Sequence, residues 1–300
     1  MTTEAKADLT SALRDTATLV TLTIHKWSAT KTDKSALEEL KKATGAKGDA
    51  GKVIKNLLAN ADQEYKAACS IFDAARNSHY RLTVPWHGGT GGPQSRLRGP
   101  GLLPNVLFDD YIRTMAEHKN KGMAAVEELI QHFPDSIAIA QTSLGAMANR
   151  YDYPPAEILR RSFGISFDFQ PVPSGADFKG LPPATLERLS IAVENRVTRQ
   201  LDNAMDEALS RVRETLGHLK ERLGDPKNKL YASSLDKIKV AGSILEAFQP
   251  FDDRITVIRG EIGQLVNGLH INELRSDNMV RQSVAQGAED ILRRMETAGL

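Results

Sequence analysis

The chain has 300 residues, of which 41% are hydrophobic and 26% are charged, a balance typical of a globular protein with one large or two modest domains. Its 39 lysines and arginines face 38 acids, so the net charge of +1 excludes a global field that would draw the whole molecule onto nucleic acid or an anionic membrane. Any such binding must be local. A single cysteine, Cys69, excludes an internal disulfide and a zinc cage built from cysteines.

The hydropathy pattern bears on location. No run of eighteen apolar residues occurs, and the polar residues 1–6 do not resemble a secretion signal. We therefore expect a cytoplasmic protein with no membrane partner.

Three segments in the first 180 residues show strand patterns. Residues 19–27 and 165–172 alternate apolar and polar side chains, and residues 80–86 form a third short candidate, so one small sheet is expected. For residues 1–18, a short helix and a frayed lead-in are both open. Further helices are predicted after an N-cap at Thr32 or Asp33, from Val53 through Phe72, over 105–132, from Pro134 onward and over 156–161.

The second part of the chain is dominated by one long helical pattern. Apolar residues recur from Leu186 to Leu223 with ten steps over 37 residues, about 3.7 residues per step, which predicts a single long helix. Gly224-Asp225-Pro226 ends it, and further helical segments follow from Leu230 onward. An antiparallel long-helix hairpin is the simplest way to bury the stripe, and a stripe of this length favours a homo-oligomer.

The predicted fold class is mainly α with a small β element (α+β). We expect two domains, residues 1–180 with the small sheet and a glycine-rich basic loop at 87–104, and residues 181–300 as a coiled-coil-like assembly domain.

The stretch 74–108 is locally cationic, because it holds four arginines and no acid. Guanidinium groups fork onto phosphate oxygens, and an aromatic ring can stack on an unpaired base. The predicted nucleic-acid contacts are Arg81, Arg96 and Arg98, with Tyr80 or Trp86 stacking and with Lys47 and Lys52 extending the surface. The alternative is that the arginines pair with acids elsewhere, that Trp86 fills a core gap and that the lysines form a solvated surface.

Other chemistry has little support in the sequence. The glycines before Lys52 resemble a phosphate loop, but Ala46 and Val53 occupy the positions where that motif requires glycine and Ser or Thr. The seven histidines are scattered without a metal-binding motif, and Cys69 lies in an apolar helical context that makes it a poor nucleophile. We therefore predict no cofactor, no metal and no enzymatic activity, with an enzyme site assembled from scattered residues within 1–180 as the less favoured alternative.

Several short motifs occur together in the order of a known family. They are Pro85-Trp86, the segment 96–104 ending in Leu102-Leu103-Pro104, Asp152-Tyr153-Pro154, Pro171-Val172-Pro173 with Asp177-Phe178, and Arg211. In these motifs the chain resembles a family of uncharacterised phage and bacterial proteins, known as a domain of unknown function and often encoded beside MoxR-type AAA+ ATPases. The resemblance implies a phage-type accessory protein in the bacterial host cytoplasm.

Two functions are predicted on this basis. The preferred one is a non-catalytic, oligomerising protein of phage DNA metabolism that binds nucleic acid, single-stranded DNA above all, through the basic glycine-rich loop. The alternative is an adaptor that docks on a MoxR-type AAA+ ATPase through its helical hairpin.

Overall fold

The computed structural model describes residues 3–48, 51–86, 99–225 and 228–300. The chain divides into two compact units. Unit 1 comprises residues 1–21, 79–112 and 167–300, and unit 2 comprises residues 22–78 and 113–166. These limits differ from the predicted boundary near residue 180, since unit 2 is built from two segments that both precede it.

The described residues are mostly helical with a small antiparallel sheet, which confirms the predicted fold class. The helices are α1 (Thr3–Thr16), α2 (Lys34–Thr44), α3 (Gln63–Leu82), α4 (Phe108–Leu144), α5 (Ala156–Arg161), α6 (Pro183–Gly224), α7 (Ala232–Leu245), α8 (Asp253–Val266), α9 (Ile271–Ser276) and α10 (Asn278–Ala298). The strands are β1 (Ala17–His25), β2 (Thr30–Thr32), β3 (Ile54–Asn56), β4 (Val84–Pro85), β5 (Gly101–Pro104) and β6 (Gly164–Gln170). Among the described residues, none of the helices combines the length and the apolar composition needed to cross a membrane.

The larger sheet has the strand order β4-β5-β1-β6. Its antiparallel register pairs Ala17 with Pro104 and Val20 with Gly101 on one side of β5, and Val84 with Leu102 on the other. The predicted strands at 19–27 and 165–172 are confirmed as β1 and β6. A smaller antiparallel ribbon joins β2 to β3.

One strand prediction and one loop prediction are corrected by the structure. Residues 80–82 of the strand candidate at 80–86 are the end of α3, and only Val84–Pro85 pairs as a strand. The predicted loop at 87–104 ends in β5, a strand with all four residues buried, while residues 87–98 lie outside the described residues. Leu102 and Leu103 are both fully buried, so β5 lacks the polar alternation that would have revealed it in the sequence.

Two helix predictions are also wrong in their limits. The helix expected from Val53 begins only at Gln63, because residues 54–56 form β3 and Asn60 adopts a positive φ of 62°. The break expected at Pro134 does not occur, and α4 runs through it. Phe133 and Ala140 are buried on either side of the proline, and packing of this kind compensates the helical hydrogen bond that proline cannot donate.

The long helix of unit 1 is confirmed as α6, which begins at Pro183 and ends at Gly224. Its apolar stripe, from Val197 to Leu223, is buried against α1, α7 and α10 of the same chain. The argument for a partner chain therefore no longer rests on this stripe, and the homo-oligomer stays a prediction.

The core of unit 2 is aromatic. Trp27 packs edge-to-face on Tyr65 and Phe133, with ring centroids 5.7 Å and 5.6 Å apart. The Tyr65 hydroxyl donates to the Trp27 carbonyl at 2.9 Å. Phe72 is fully buried and packs on Phe163 with centroids 5.5 Å apart.

Candidate nucleic-acid interface

The predicted contact residues belong partly to unit 1, partly to unit 2 and partly to a segment that the structure does not describe. Tyr80, Arg81 and Trp86 belong to unit 1, and Lys47 and Lys52 belong to unit 2. Arg96 and Arg98 lie outside the described residues. The following observations therefore concern five of the seven predicted residues.

Trp86 does not fit the predicted stacking role. Its side chain is only 4% exposed, and its backbone N–H donates to the Pro100 carbonyl at 3.0 Å. Because Trp86 lies two residues after Val84 on the same side of an extended segment, it follows that residue into the core. A base cannot stack on a ring that the protein already covers, so Trp86 has the core-filling role that the sequence left as the alternative.

Tyr80 is half-buried at the end of α3. Its ring packs on His79 with centroids 5.3 Å apart, and its carbonyl accepts a 2.8 Å hydrogen bond from Arg211 Nη1. Arg211 also donates to the Thr83 carbonyl at 2.7 Å. These contacts hold the end of α3 and leave Tyr80 as a packing residue.

Arg81, the next residue, is exposed, and its side chain forms no hydrogen bond or ion pair with any residue that the structure describes. The contrast with Arg76 is direct, because Arg76 Nη1 lies 3.0 Å from Asp73 Oδ1. Arg81 thus retains a free guanidinium that can meet a phosphate.

Lys47 and Lys52 lie in and after the turn that joins α2 to β3, and both are exposed. Within the described part of unit 2, neither has an ion-pair partner, and the same holds for Lys34 and Lys42. We call these four residues the lysine group. The segment 31–55 that contains them holds seven lysines and four acids, a local excess of three positive charges in a chain whose net charge is +1.

Three glycines lie near Lys47 and Lys52 in the sequence. Gly45, Gly48 and Gly51 have positive φ values of 65°, 102° and 93°, a conformation that glycine adopts without strain. Apart from each glycine's chain neighbours, no atom of the described residues lies within 4 Å of where a Cβ would stand. The described chain is therefore not crowded at these three positions.

A fifth lysine of this segment, Lys55, is buried and has a different role. Its ammonium lies 2.7 Å from Asp152 Oδ2 and 3.1 Å from Asp33 Oδ2, and it donates to the Met147 carbonyl at 2.9 Å. Lys31 Nζ completes the cluster at 2.7 Å from Asp152 Oδ1. Two lysines and two aspartates balance in charge, so this cluster offers no field to a ligand.

The pKa shifts in the cluster agree with mutual neutralisation. The hydrogen bond to Asp152 raises the pKa of Lys55 against the opposing effect of burial. Burial alone would raise the pKa of Asp152, but Lys31 and Lys55 together hold it below its usual value. The Ala36 backbone N–H and Lys55 lower the pKa of Asp33, which is also the N-cap of α2. The cluster therefore joins β3, the start of α2 and the turn at 150–152.

That same turn carries an exposed aromatic residue that was not predicted from the sequence. Tyr151 is 78% exposed, and the Arg150 guanidinium carbon lies 4.8 Å from the centroid of its ring. Arg150 Nη2 also donates to the Tyr151 hydroxyl at 2.8 Å. One signal in the sequence could have indicated this exposure. The pair Arg150-Tyr151 follows Asn149, a residue typical of turns, and lies between two helical patterns, and an aromatic residue in such a turn is often exposed.

A groove of about 360 Å³ lies between α6 and α7 in unit 1. Its lining includes Arg222 and Lys237, but also Glu214, with Tyr231 at its rim. The mixture of charges does not favour one class of ligand. In the part of the chain that the structure describes, no three His, Cys, Asp or Glu residues are grouped so that they could hold a metal ion.

Comparison of the chain with protein-family models, with curated proteins and with solved structures finds no match in any of the three. The resemblance to the phage family therefore stays a prediction.

Proposed function

We propose that this chain is a non-catalytic nucleic-acid-binding protein of phage-type DNA metabolism, acting in the cytoplasm and preferring single-stranded DNA. Its contacts are Lys47 and Lys52 in unit 2 and Arg81 in unit 1. The observation that supports the proposal is the exposure of these three cations without a carboxylate partner among the described residues.

The absence of partners matters because of how polyanions are bound. A cation that already pairs with a carboxylate, as Lys66 does with Asp62 at 2.8 Å, must break that pair before it can meet a phosphate. A free cation replaces the condensed counterions of the polymer directly, and their release drives association. The lysine group is therefore the part of unit 2 best suited to this contact, and Lys55 is excluded from it.

The proposal is tested by fluorescence anisotropy with a labelled oligonucleotide of about 20 nucleotides at low salt, since single-strand sites occupy roughly 4–16 nucleotides. The double variant Lys47→Ala/Lys52→Ala should bind more weakly whatever the base sequence, and Arg81→Ala should act in the same direction. Lys66→Ala is the matched control, because it removes the same charge from an exposed lysine that is already paired.

Two outcomes would contradict the proposal. One is an intact chain that binds no oligonucleotide at low salt. The other is a control variant that loses as much affinity per charge removed as the double variant does. That result would indicate that binding responds to net charge and not to contact at the lysine group.

The adaptor prediction has no observation of its own in the structure. One face of the predicted hairpin, the apolar stripe of α6, is covered by other helices of unit 1. The adaptor therefore stays a prediction, and retention of a purified MoxR-type ATPase by the full chain would test it.

A further inference from the structure

Tyr151 stands out among the exposed apolar and aromatic residues because its position is fixed while its ring is not covered. Its backbone N–H donates to Asn149 Oδ1 at 2.9 Å, which caps the turn. The next residue, Asp152, has a side chain only 5% exposed and is held by Lys31 and Lys55. A turn anchored on both sides thus presents a ring that is 78% exposed.

One cation, Arg150, lies directly on the ring. Arg150 stacks over Tyr151 at 4.8 Å from the ring centroid and has no carboxylate partner among the residues described. Lys31, which ion-pairs with Asp152, keeps 52% of its side chain exposed. Lys31 also pairs in register with Lys55 of β3, and Lys52 precedes that strand. The turn that carries the ring is therefore tied through Asp152 to the β2–β3 ribbon, and it lies in the same unit as the lysine group.

We propose that Tyr151, supported by Arg150, is a stacking platform for an unpaired base of a single-stranded nucleic acid. The inference rests on the proposed function and names the form of nucleic acid that unit 2 selects. Every base has a π-face, and stacking of this kind is tolerant of sequence but requires an unstacked base. A fixed ring with the Arg150 guanidinium on it, in the unit that also holds the lysine group, matches the two chemical features of a single strand, its exposed bases and its phosphates.

A duplex does not offer the same match. Its bases are already stacked on one another, and only its phosphates are accessible to a ring and cations on a surface turn. The cations of unit 2 would bind either form, whereas Tyr151 contributes only to the single strand. The platform therefore predicts a preference that depends on one side chain.

The test compares Tyr151→Ala with the unaltered chain in anisotropy titrations against a single strand and against the same sequence as a duplex. We expect a loss of roughly 5- to 100-fold in single-strand affinity and no comparable loss for the duplex. Tyr151→Trp should retain single-strand binding, because it restores the π-face. Tyr231→Ala is the matched control, since Tyr231 is 53% exposed in unit 1 and also lies near an arginine, Arg222.

The outcomes separate this inference from the function on which it rests. If Lys47→Ala/Lys52→Ala weakens binding while Tyr151→Ala binds the single strand as tightly as the unaltered chain, the platform is wrong and the proposed function stands. Equal losses for single strand and duplex would also overturn the platform. If the unaltered chain binds no oligonucleotide, both fail. Because the ring is exposed, circular dichroism of Tyr151→Ala should match the unaltered chain.

Discussion

At the scale of single residues, His79 of unit 1 is a buried histidine with a defined hydrogen-bond partner. It is 4% exposed, and its Nδ1 lies 2.9 Å from the hydroxyl of Tyr111, which is fully buried. Burial lowers the pKa of His79 to about 4 and raises the pKa of Tyr111. Both groups are therefore neutral near pH 7, and both side chains lie in the core of unit 1.

This environment predicts a pH dependence of stability. The folded pKa of His79 is about 4 and the ordinary value is 6.5, so between these limits the unfolded chain binds the extra proton. The contribution is fully present above about pH 6.5 and is lost as the pH falls toward 4. From pH 7 to pH 5 it amounts to about 2 kcal/mol.

The measurement is urea unfolding followed by circular dichroism at pH 7 and pH 5, for the unaltered chain and for His79→Gln. The variant keeps a hydrogen-bonding group beside Tyr111 but does not titrate, so its free energy of unfolding should fall by about 2 kcal/mol less over this interval. Equal pH dependence in the two proteins would show that His79 is not buried as a neutral group.

Single residues also differ in how far their contacts could be predicted from the sequence. The N-cap of α2 was predicted as Thr32 or Asp33, and Asp33 is the residue that accepts a 3.0 Å hydrogen bond from the Ala36 N–H. The cap was predictable because capping depends on residues only two or three positions apart. The burial of Lys55 was not predicted, since its partner Asp152 lies 97 positions away in the sequence. A lysine looks the same in a sequence whether it faces solvent or a distant carboxylate.

At the scale of elements, the end of α6 is held by a buried arginine of α10. Arg281 is 6% exposed, and its Nε donates to the Leu223 carbonyl at 2.9 Å. Its Nη2 donates to the Arg222 carbonyl at 2.6 Å and to the Asp225 carbonyl. Carbonyls at a helix C-terminus lack helical partners and carry partial negative charge, so a guanidinium there both satisfies and neutralises them.

We expect Arg281→Met to lower the free energy of unfolding by about 2–4 kcal/mol, because the variant removes the donor from one buried and two partly buried carbonyls. Arg293→Met on the same helix is the control, since Arg293 is 67% exposed and should change stability by less than about 0.5 kcal/mol. Thermal unfolding of both variants measures the difference. Equal effects would mean that the carbonyls of α6 find other partners.

Which elements were predictable follows from their burial. The stripe of α6 faces other helices on one side only, so its period is visible in the sequence, and β1 alternates in the same informative way. In contrast, β5 is buried throughout, and β3 has only three residues, so neither shows a period. The continuation of α4 through Pro134 depends on packing that no local pattern encodes.

At the scale of the whole molecule, the division into units is set by contacts between distant segments. Residues 79–112 join unit 1 although they lie between the two segments of unit 2. Changes in composition along the chain located the long helix. They carry no information on which distant segments of the chain pack together in one unit. The predicted boundary near residue 180 was therefore a boundary in composition rather than in contacts.

The candidate interface was predictable in its charges but not in its aromatic residue. Lys47, Lys52 and Arg81 are exposed, as polar residues in turns and at helix ends usually are. Which aromatic residue is available for stacking depends on which side chains pack in the core. Trp86 is buried in the core, whereas Tyr151 is exposed on the surface.

The central claim is that free surface cations bind a polyanion, and the salt dependence of oligonucleotide binding tests it most directly. For single strands, the logarithm of the association constant should fall linearly with the logarithm of the salt concentration, by about 0.7 for each phosphate contacted. Each of these cations that contacts the strand should contribute about −0.7 to the slope, so Lys47→Ala/Lys52→Ala should make the slope shallower by about 1.4. A slope near zero, or a slope that the double variant leaves unchanged, would contradict the account.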